Sequence, residues 1–185
     1  MTATIPALKI TVLGRPAPQG SKKYAGHRRN RRSGRVSAVL VEQSKRVKPW
    51  REQVTAAALR AMADGSCAAP LDGPLEVHVT FTALKPANAP KRRRTWPMTR
   101  HSGDLDKLLR STFDGIADAK AIADDSRIVR VTAQKVFPDD DPDALSEPGA
   151  VIRVFPVRDG SETDPEPDAD GAADVALFDT PGDEV

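Results

Sequence analysis

The chain has 185 residues, of which 39% are hydrophobic and only 4% aromatic, which suits one domain with a small aliphatic core. The single cysteine, Cys67, excludes an intrachain disulfide. The N-terminal residues lack a basic region followed by an apolar run, and no stretch is long enough to span a membrane. We therefore expect a cytosolic protein, and the small core makes an oligomer plausible.

The net charge of +2 hides a sharp division along the chain. Residues 159–185 contain ten acids and no Lys or Arg. The remaining 28 bases and 16 acids give residues 1–158 a net charge of +12. So basic a domain favours a polyanionic partner such as a nucleic acid.

The first half of the chain is predicted to hold a strand, a basic loop and a helix. Alternation in 7–14 predicts the strand, and the Gly- and Pro-punctuated segment 14–48 predicts a partly mobile basic loop. Pro49 and Gly65 suit the start and the stop of a helix over 49–64. Its core-facing residues should be Trp50, Val54, Ala57, Ala58, Ala61 and Met62.

The second half continues with a strand in 71–84, a basic loop over 85–102 and a helix over 104–118. Two further strands are predicted, and the domain ends at residue 157. Strands mixed with two main helices predict an α+β fold in two layers, with both helices packed on a mixed sheet. Residues 158–185 form an acidic tail that we expect to be disordered.

The helix over 104–118 combines an apolar side with a charged edge. Asp104 lies where an Asp caps a helix, and Asp106, Arg110 and Asp114 follow four residues apart. A capped amphipathic helix, with Asp114 paired to Arg110, would account for these residues structurally. Its apolar side should consist of Leu105, Leu108, Leu109, Thr112, Phe113 and Ile116.

A metal site is the alternative explanation for the acids. Asp104 and Asp106 flank one apolar residue, and Asp124 and Asp125 precede the next strand. If the chain returned along the helix, these pairs would meet and repel each other unless a cation neutralised them. Carboxylates favour Mg²⁺, or Mn²⁺ in its place, and such sites hydrolyse phosphodiesters.

The stretch "DLDKLLRSTFDGIADAKAIADDSRI" resembles the RusA family of Holliday junction resolvases. The strand exit "GRPAPQGSKK" is also similar to that of the family. The resemblance implies a homodimeric, Mg²⁺-dependent endonuclease, of a phage or prophage type, that cuts branched DNA with four-way junctions. It would act on the nucleoid of a bacterial cell. The matching positions are Asp104, Asp106, Arg110, Phe113, Asp114, Asp125 and Lys135.

The resemblance implies roles for individual residues. Asp104, Asp106 and Asp125 are the expected catalytic and metal-binding acids, and Asp124 is a secondary metal ligand. Arg110 stands where the family often has lysine, and Lys107 replaces an asparagine. Because arginine stays protonated, Arg110 can stabilise charge but cannot donate a proton.

The clustered bases are expected to bind the DNA backbone, and Tyr24 and Trp96 could stack on unpaired bases, although Trp96 could instead pack on the sheet beside Pro97. His27, His78 and His101 receive no role. The predicted DNA-binding residues are Lys22, Lys23, Arg28, Arg29, Arg31, Arg32, Lys91, Arg92, Arg93, Arg94, Lys107 and Lys135.

The acidic tail is interpreted first as a solubilising end. It could instead cover the basic surface, or bind a bacterial sliding clamp through Asp174–Phe178, whose last two residues match the clamp-binding peptide. Three other functions stay open for the whole chain: a junction-binding protein without catalysis, a nuclease for flaps or RNA, and a structural protein whose acids only cap helices.

Overall fold

The computed structural model describes residues 5–20, 22–29, 31–42, 44–64, 69–90 and 93–157. Its strands and helices are, in chain order, β1 (Leu8–Leu13), β2 (Lys22–Arg29), β3 (Val36–Glu42), α1 (Val47–Ala63), β4 (Leu75–Thr82), α2 (Leu105–Asp118), β5 (Ile128–Val136) and β6 (Gly149–Pro156). Two short 3-10 turns, Arg100–Ser102 and Asp125–Arg127, precede α2 and β5.

Four strands form the main sheet, in the order β1-β6-β4-β5. The β1–β6 and β6–β4 pairs are antiparallel, whereas β4 and β5 are parallel. Parallel neighbours need a crossover connection, and α2 supplies it between these two strands. The predicted α+β fold with a mixed sheet and two helices is therefore confirmed.

One face of the sheet carries the core. Alternate residues of β4, from Leu75 to Phe81, are buried together with the matching faces of β1 and β6. On this face α1 contributes Trp50, Val54, Ala57 and Ala58, and Ala61 and Met62 pack against the same cluster, as predicted. The apolar side of α2 does likewise through Leu108, Thr112 and Ile116. No helix within the described ranges is long and apolar enough to cross a bilayer.

The helix bounds differ slightly from the prediction. Helix α1 begins at Val47, so Pro49 is its third residue and not its first. This position is tolerated because the first N–H groups of a helix lack intrahelical acceptors. The predicted stop, Gly65, lies outside the described residues.

The prediction of a loop over residues 14–48 was wrong for its central part. Strands β2 and β3 pair antiparallel into a separate two-stranded ribbon, with an irregularity between Tyr24 and His27. The cations of β2 conceal the strand, because they interrupt the alternation of apolar and polar residues by which a strand is recognised. We call this hairpin, residues 22–42, the basic ribbon.

Helices α1 and α2 approach closely at Gly115. The Trp50 indole Nε1 donates to Thr112 Oγ1 at 3.1 Å, and Thr55 Oγ1 donates to the Gly115 carbonyl at 2.9 Å. A Cβ atom on Gly115 would lie 2.8 Å from Val54 Cβ. Only glycine therefore allows this separation of the helices.

Replacing Gly115 with alanine should lower stability despite the better helix propensity of alanine. The propensity gain is about 1 kcal/mol, and overpacking costs about 1–3 kcal/mol, so we expect a net loss of about 1 kcal/mol in urea unfolding. In a Val54→Ala background the same replacement should cost less, because Val54 Cγ1, which also lies 2.8 Å from the added Cβ, is gone. An equal cost in both backgrounds would contradict the proposed steric cause.

Candidate active site

Asp104 occupies the N-cap position of α2, as predicted, but its side chain does not cap the helix. Its backbone is extended, and no side-chain capping bond forms at this end. The carboxylate accepts instead from Lys107 Nζ at 2.7 Å. The capping explanation for Asp104 is therefore wrong, and the exposed carboxylate is held by an ion pair that water or a metal ion can reach.

The start of α2 is tied to the end of β5. Lys135 Nζ donates to the Gly103 carbonyl oxygen at 2.6 Å and lies 3.4 Å from Ser102 Oγ. Gly103 has a φ of 77° and is packed against Pro18, so a larger residue would be strained there. This contact brings the Lys135 ammonium beside Asp104.

The electrostatics of this corner favour a charged carboxylate. The hydrogen bond from Lys107 lowers the pKa of Asp104 below its ordinary value, and the charges of Lys107, Lys135 and Arg100 add to the effect. The same ion pair raises the pKa of Lys107. Asp104 is therefore ionised over the whole neutral range, as a metal ligand must be.

The strand exit after β1 docks on the first turns of α2. Ser111 Oγ donates to the Ala17 carbonyl at 2.7 Å, and the Gln19 amide donates to the Lys107 carbonyl at 3.0 Å. Ala17 is fully buried. The two segments that resemble the RusA family, far apart in sequence, thus form one structural unit.

Sequence reasoning missed the part played by the turn 97–102. The Ser102 hydroxyl donates to the Pro97 and Thr99 carbonyls, at 2.6 and 2.7 Å, and stands within reach of Lys135. Arg100, in the same turn, acts on the Asp104 carboxylate. The available signal was the run of turn-forming polar residues that ends in Gly103.

The charged edge of α2 differs from the predicted ladder. Asp106 and Arg110 are both exposed. Asp114 pairs with Arg51 of α1 at 3.2 Å, and not with Arg110 as predicted. Arg51 also contacts Asp118 at 2.7 Å, so it joins the two helices. Asp114 is a brace, as expected, but toward α1.

Asp124 and Asp125 lie at the opposite end of α2 from Asp104. They precede β5, whose far end holds Lys135 against Gly103, so the helix and the strand run in opposite directions. Helix α2 has 14 residues and is about 21 Å long. The expectation that Asp124 and Asp125 return to the start of the helix is therefore wrong.

Asp124 caps the 3-10 turn that leads into β5. Its carboxylate accepts from the Ser126 amide at 2.9 Å, and hydrogen bonding from the Ser126 side chain and then from this amide lowers the pKa of Asp124. Asp125 is exposed at the first position of the turn. Asp124 thus has a local structural partner, whereas Asp125 presents its carboxylate outward.

In the described part of the chain, no group of three His, Cys, Asp or Glu side chains is placed to hold a metal ion. The donor chemistry nevertheless suits a hard divalent cation, since both ends of α2 present exposed carboxylates. Within one chain, two of the predicted ligands lie at each end of the helix: Asp104 and Asp106 at its start, and Asp124 and Asp125 beyond its last turn. The roles of Asp104, Asp106, Asp124 and Asp125 as ligands therefore stay predictions.

The predicted DNA-binding residues lie mainly on two surfaces. Arg28, Arg29, Arg31 and Arg32 are exposed on the basic ribbon, and the backbones of Lys22 and Lys23 belong to the same hairpin. On the second surface Arg93 and Arg94 are exposed, whereas Lys91 and Arg92 fall outside the described residues, as does the tail with Asp174–Phe178.

Trp96 lies at the surface with Arg94 over its ring. Half of the residue, 51%, is exposed, and the guanidinium of Arg94 lies 4.2 Å from the ring centroid. Both interpretations left open by the sequence, packing on the sheet beside Pro97 and stacking on DNA, stay predictions.

An exposed set of carboxylates beside a docked lysine, in a strongly basic domain, is typical of proteins that process nucleic acids. The model of a family described as Endodeoxyribonuclease RusA matches residues 15–145. The chain therefore belongs to the RusA family, and it is an endodeoxyribonuclease. Enzymes of this family are metal-dependent Holliday junction resolvases that hydrolyse phosphodiester bonds. No curated protein matches the sequence.

Replacing Lys107 with alanine should raise the pKa of Asp104 toward its ordinary value. The replacement removes the hydrogen bond and the nearest positive charge, while Lys135 and Arg100 keep part of the effect. Carbon-detected NMR titration of the aspartate carboxyls would measure the change. Lys48→Ala, at an exposed site on α1, is the matched control. An unchanged Asp104 pKa would disprove the importance of this ion pair.

Proposed function

We propose that this protein is a Mg²⁺-dependent, homodimeric enzyme that resolves four-way DNA junctions by paired cuts during recombination, repair or phage DNA processing. Its place of action is the nucleoid in the bacterial cytoplasm. The observation that carries the proposal is the exposed Asp104 carboxylate, which has no capping duty and is kept ionised by Lys107 and Lys135. Membership of the RusA family supports phosphodiester hydrolysis as the reaction at this corner.

A second copy of the chain offers a way to complete the site. Strand β5 lies at the edge of the main sheet, and its Val129 and Val131 are exposed. Edge strands with unpaired backbone groups readily pair with another chain. A two-fold axis through the middle of β5 would set the start of one β5 beside the end of the other.

This arrangement would bring separated carboxylates together. The end of β5 is hydrogen-bonded to the start of α2 through Lys135 and Gly103. Asp125 of one copy would then approach Asp104 and Asp106 of the second copy, at two equivalent places. Two equivalent sites on a dimer match two equivalent cuts in a symmetric junction.

The residues would share the reaction as follows. Asp104, Asp106 and Asp125 would hold Mg²⁺, with Asp124 in support, and the bound ion supplies an activated water and neutralises charge on the phosphate. Lys135 would keep the start of α2 in place through the Gly103 carbonyl. Arg110, exposed on the same helix edge, would contact a phosphate and not transfer a proton.

The basic ribbon would capture a DNA arm. A two-stranded ribbon fits the major groove of B-form DNA, and its exposed arginines suit phosphate contacts on either side. Arg93 and Arg94 would hold the backbone closer to the acids.

Replacing any one of Asp104, Asp106 or Asp125 with asparagine should abolish junction cleavage in Mg²⁺ and leave junction binding intact or tighter, because a negative charge is removed. Gel assays on a mobile four-way junction, a flap, duplex DNA and RNA would measure both properties. Asp118→Asn, in the last turn of α2, is the control. Full cleavage by Asp106→Asn would disprove the assignment of Asp106 to the metal site. Preferential cleavage of flaps or RNA would show that these, and not four-way junctions, are the substrate.

Mixed dimers separate a shared site from one built within a single chain. If sites are shared, a dimer of one Asp106→Asn chain and one Asp125→Asn chain keeps one intact site, and it should nick junctions. If each chain holds its own site, both sites are damaged and no cut appears. Differently tagged chains purified as a mixed pair would provide the test.

Binding should weaken steeply with salt because many phosphates are neutralised. In a plot of log affinity against log salt concentration, each lost phosphate contact makes the slope shallower by about 0.9. The double replacement Arg29→Ala with Arg31→Ala removes two such contacts and should therefore make the slope shallower by about 2. Arg60→Ala, in the last turn of α1, should leave the slope unchanged. Fluorescence anisotropy with a labelled junction would measure these slopes, and equal slopes for all variants would remove the ribbon from the interface.

A further inference from the structure

A pocket of about 290 Å³ opens beside the start of α2. It lies at the carboxyl ends of the parallel strands β4 and β5, the place where open α/β sheets commonly bind ligands. Much of its lining is apolar and includes Phe81, Leu84, Pro86, Pro97 and Phe137. The roles proposed for the acids and for the basic ribbon do not involve this pocket.

The pocket adjoins the acidic corner directly. Ser102 and Lys135 line it; Lys135 Nζ donates to the Gly103 carbonyl, and Ser102 Oγ lies 3.4 Å from the same Nζ atom. Leu108, one turn into α2 after Asp104, is part of its wall. A group bound in the pocket would therefore lie close to any phosphate that Asp104 contacts through a metal ion.

Cations surround the apolar lining. Arg15 and Lys135 contribute to the wall, and Lys85 Nζ lies 5.9 Å from the centroid of the Phe137 ring. Arg94 is stacked on Trp96, which is the residue before Pro97 of the wall. An apolar, partly aromatic interior with a positive rim complements a flat base attached to an anionic backbone.

We propose that this pocket takes one unstacked nucleobase next to the phosphate that is cut, and so selects where a junction is cleaved. The inference rests on the proposed function, because the phosphate is placed there by the acids of α2. Unstacking costs less where the continuous stack of base pairs is already interrupted, as at the crossover of a four-way junction. The polar side chains of Thr99, His101 and Ser102 offer donors and acceptors to the edge of the base.

The experiment uses the full chain without metal, so that DNA is bound but not cut. Four-way junctions carry 2-aminopurine, which brightens when it leaves a base stack, at each position around the crossover. Binding of the unaltered protein should brighten the probe at one position in each of two opposing strands. Brightening at no position, with the junction fully bound, would overturn the pocket proposal.

Two variants test whether the pocket causes the brightening. Thr99→Trp fills it from an exposed position, and Leu84→Asp adds a charge to an exposed part of its wall. Each should abolish the brightening and weaken junction binding by about tenfold, the size of one lost stacking contact. Met98→Trp, at the neighbouring residue that is 86% exposed, should preserve both. Brightening that survives in both pocket variants would overturn the proposal.

The two proposals fail in different ways. A junction that is cut when Mg²⁺ is added, although no probe brightens beforehand, refutes the pocket and leaves the nuclease. A junction whose probe brightens in a pocket-dependent way, but which is never cut in Mg²⁺, refutes the proposed Mg²⁺-dependent junction resolution and leaves a base-binding site. A chain that binds no junction refutes both.

Discussion

The hydrogen bond from Lys135 Nζ to the Gly103 carbonyl oxygen connects the two halves of the functional corner. It depends on the parallel pairing of β4 with β5, because that pairing requires a crossover and makes α2 run back against β5. The end of the strand and the start of the helix consequently meet at one edge of the sheet. The Asp104 carboxylate, the cations around it and the apolar pocket all lie at this edge.

Much of the fold could be predicted from the sequence, because the strands of the main sheet have one buried face and the helices one apolar side. Leu75 to Phe81 and Trp50 to Ala58 show these periods directly. Strand β2 lacks this pattern, since its cations interrupt the alternation of apolar and polar residues. The strand order was also beyond prediction, because it depends on pairings between residues far apart in the chain.

The candidate residues of the site could be proposed from the sequence, but their relative positions in space could not. The spacing of Asp104 and Asp106 at a helix start is local information, and it was placed correctly. The position of Asp125 depends on the direction in which β5 leaves the helix, which is tertiary information. Likewise, the partner of Asp114 could be chosen only by knowing that Arg51 faces it from the adjacent helix. In the proposed dimer, a second copy would bring the separated acids together.

The stacking of Arg94 on Trp96 has a consequence for the protein without DNA. An uncovered indole on the surface would invite self-association, and the guanidinium shields it while remaining hydrated on its other side. If a base stacks on Trp96 as predicted, Arg94 would have to leave the ring, and its released charge could then contact a phosphate. The ring would in that case be covered both before and after DNA binds.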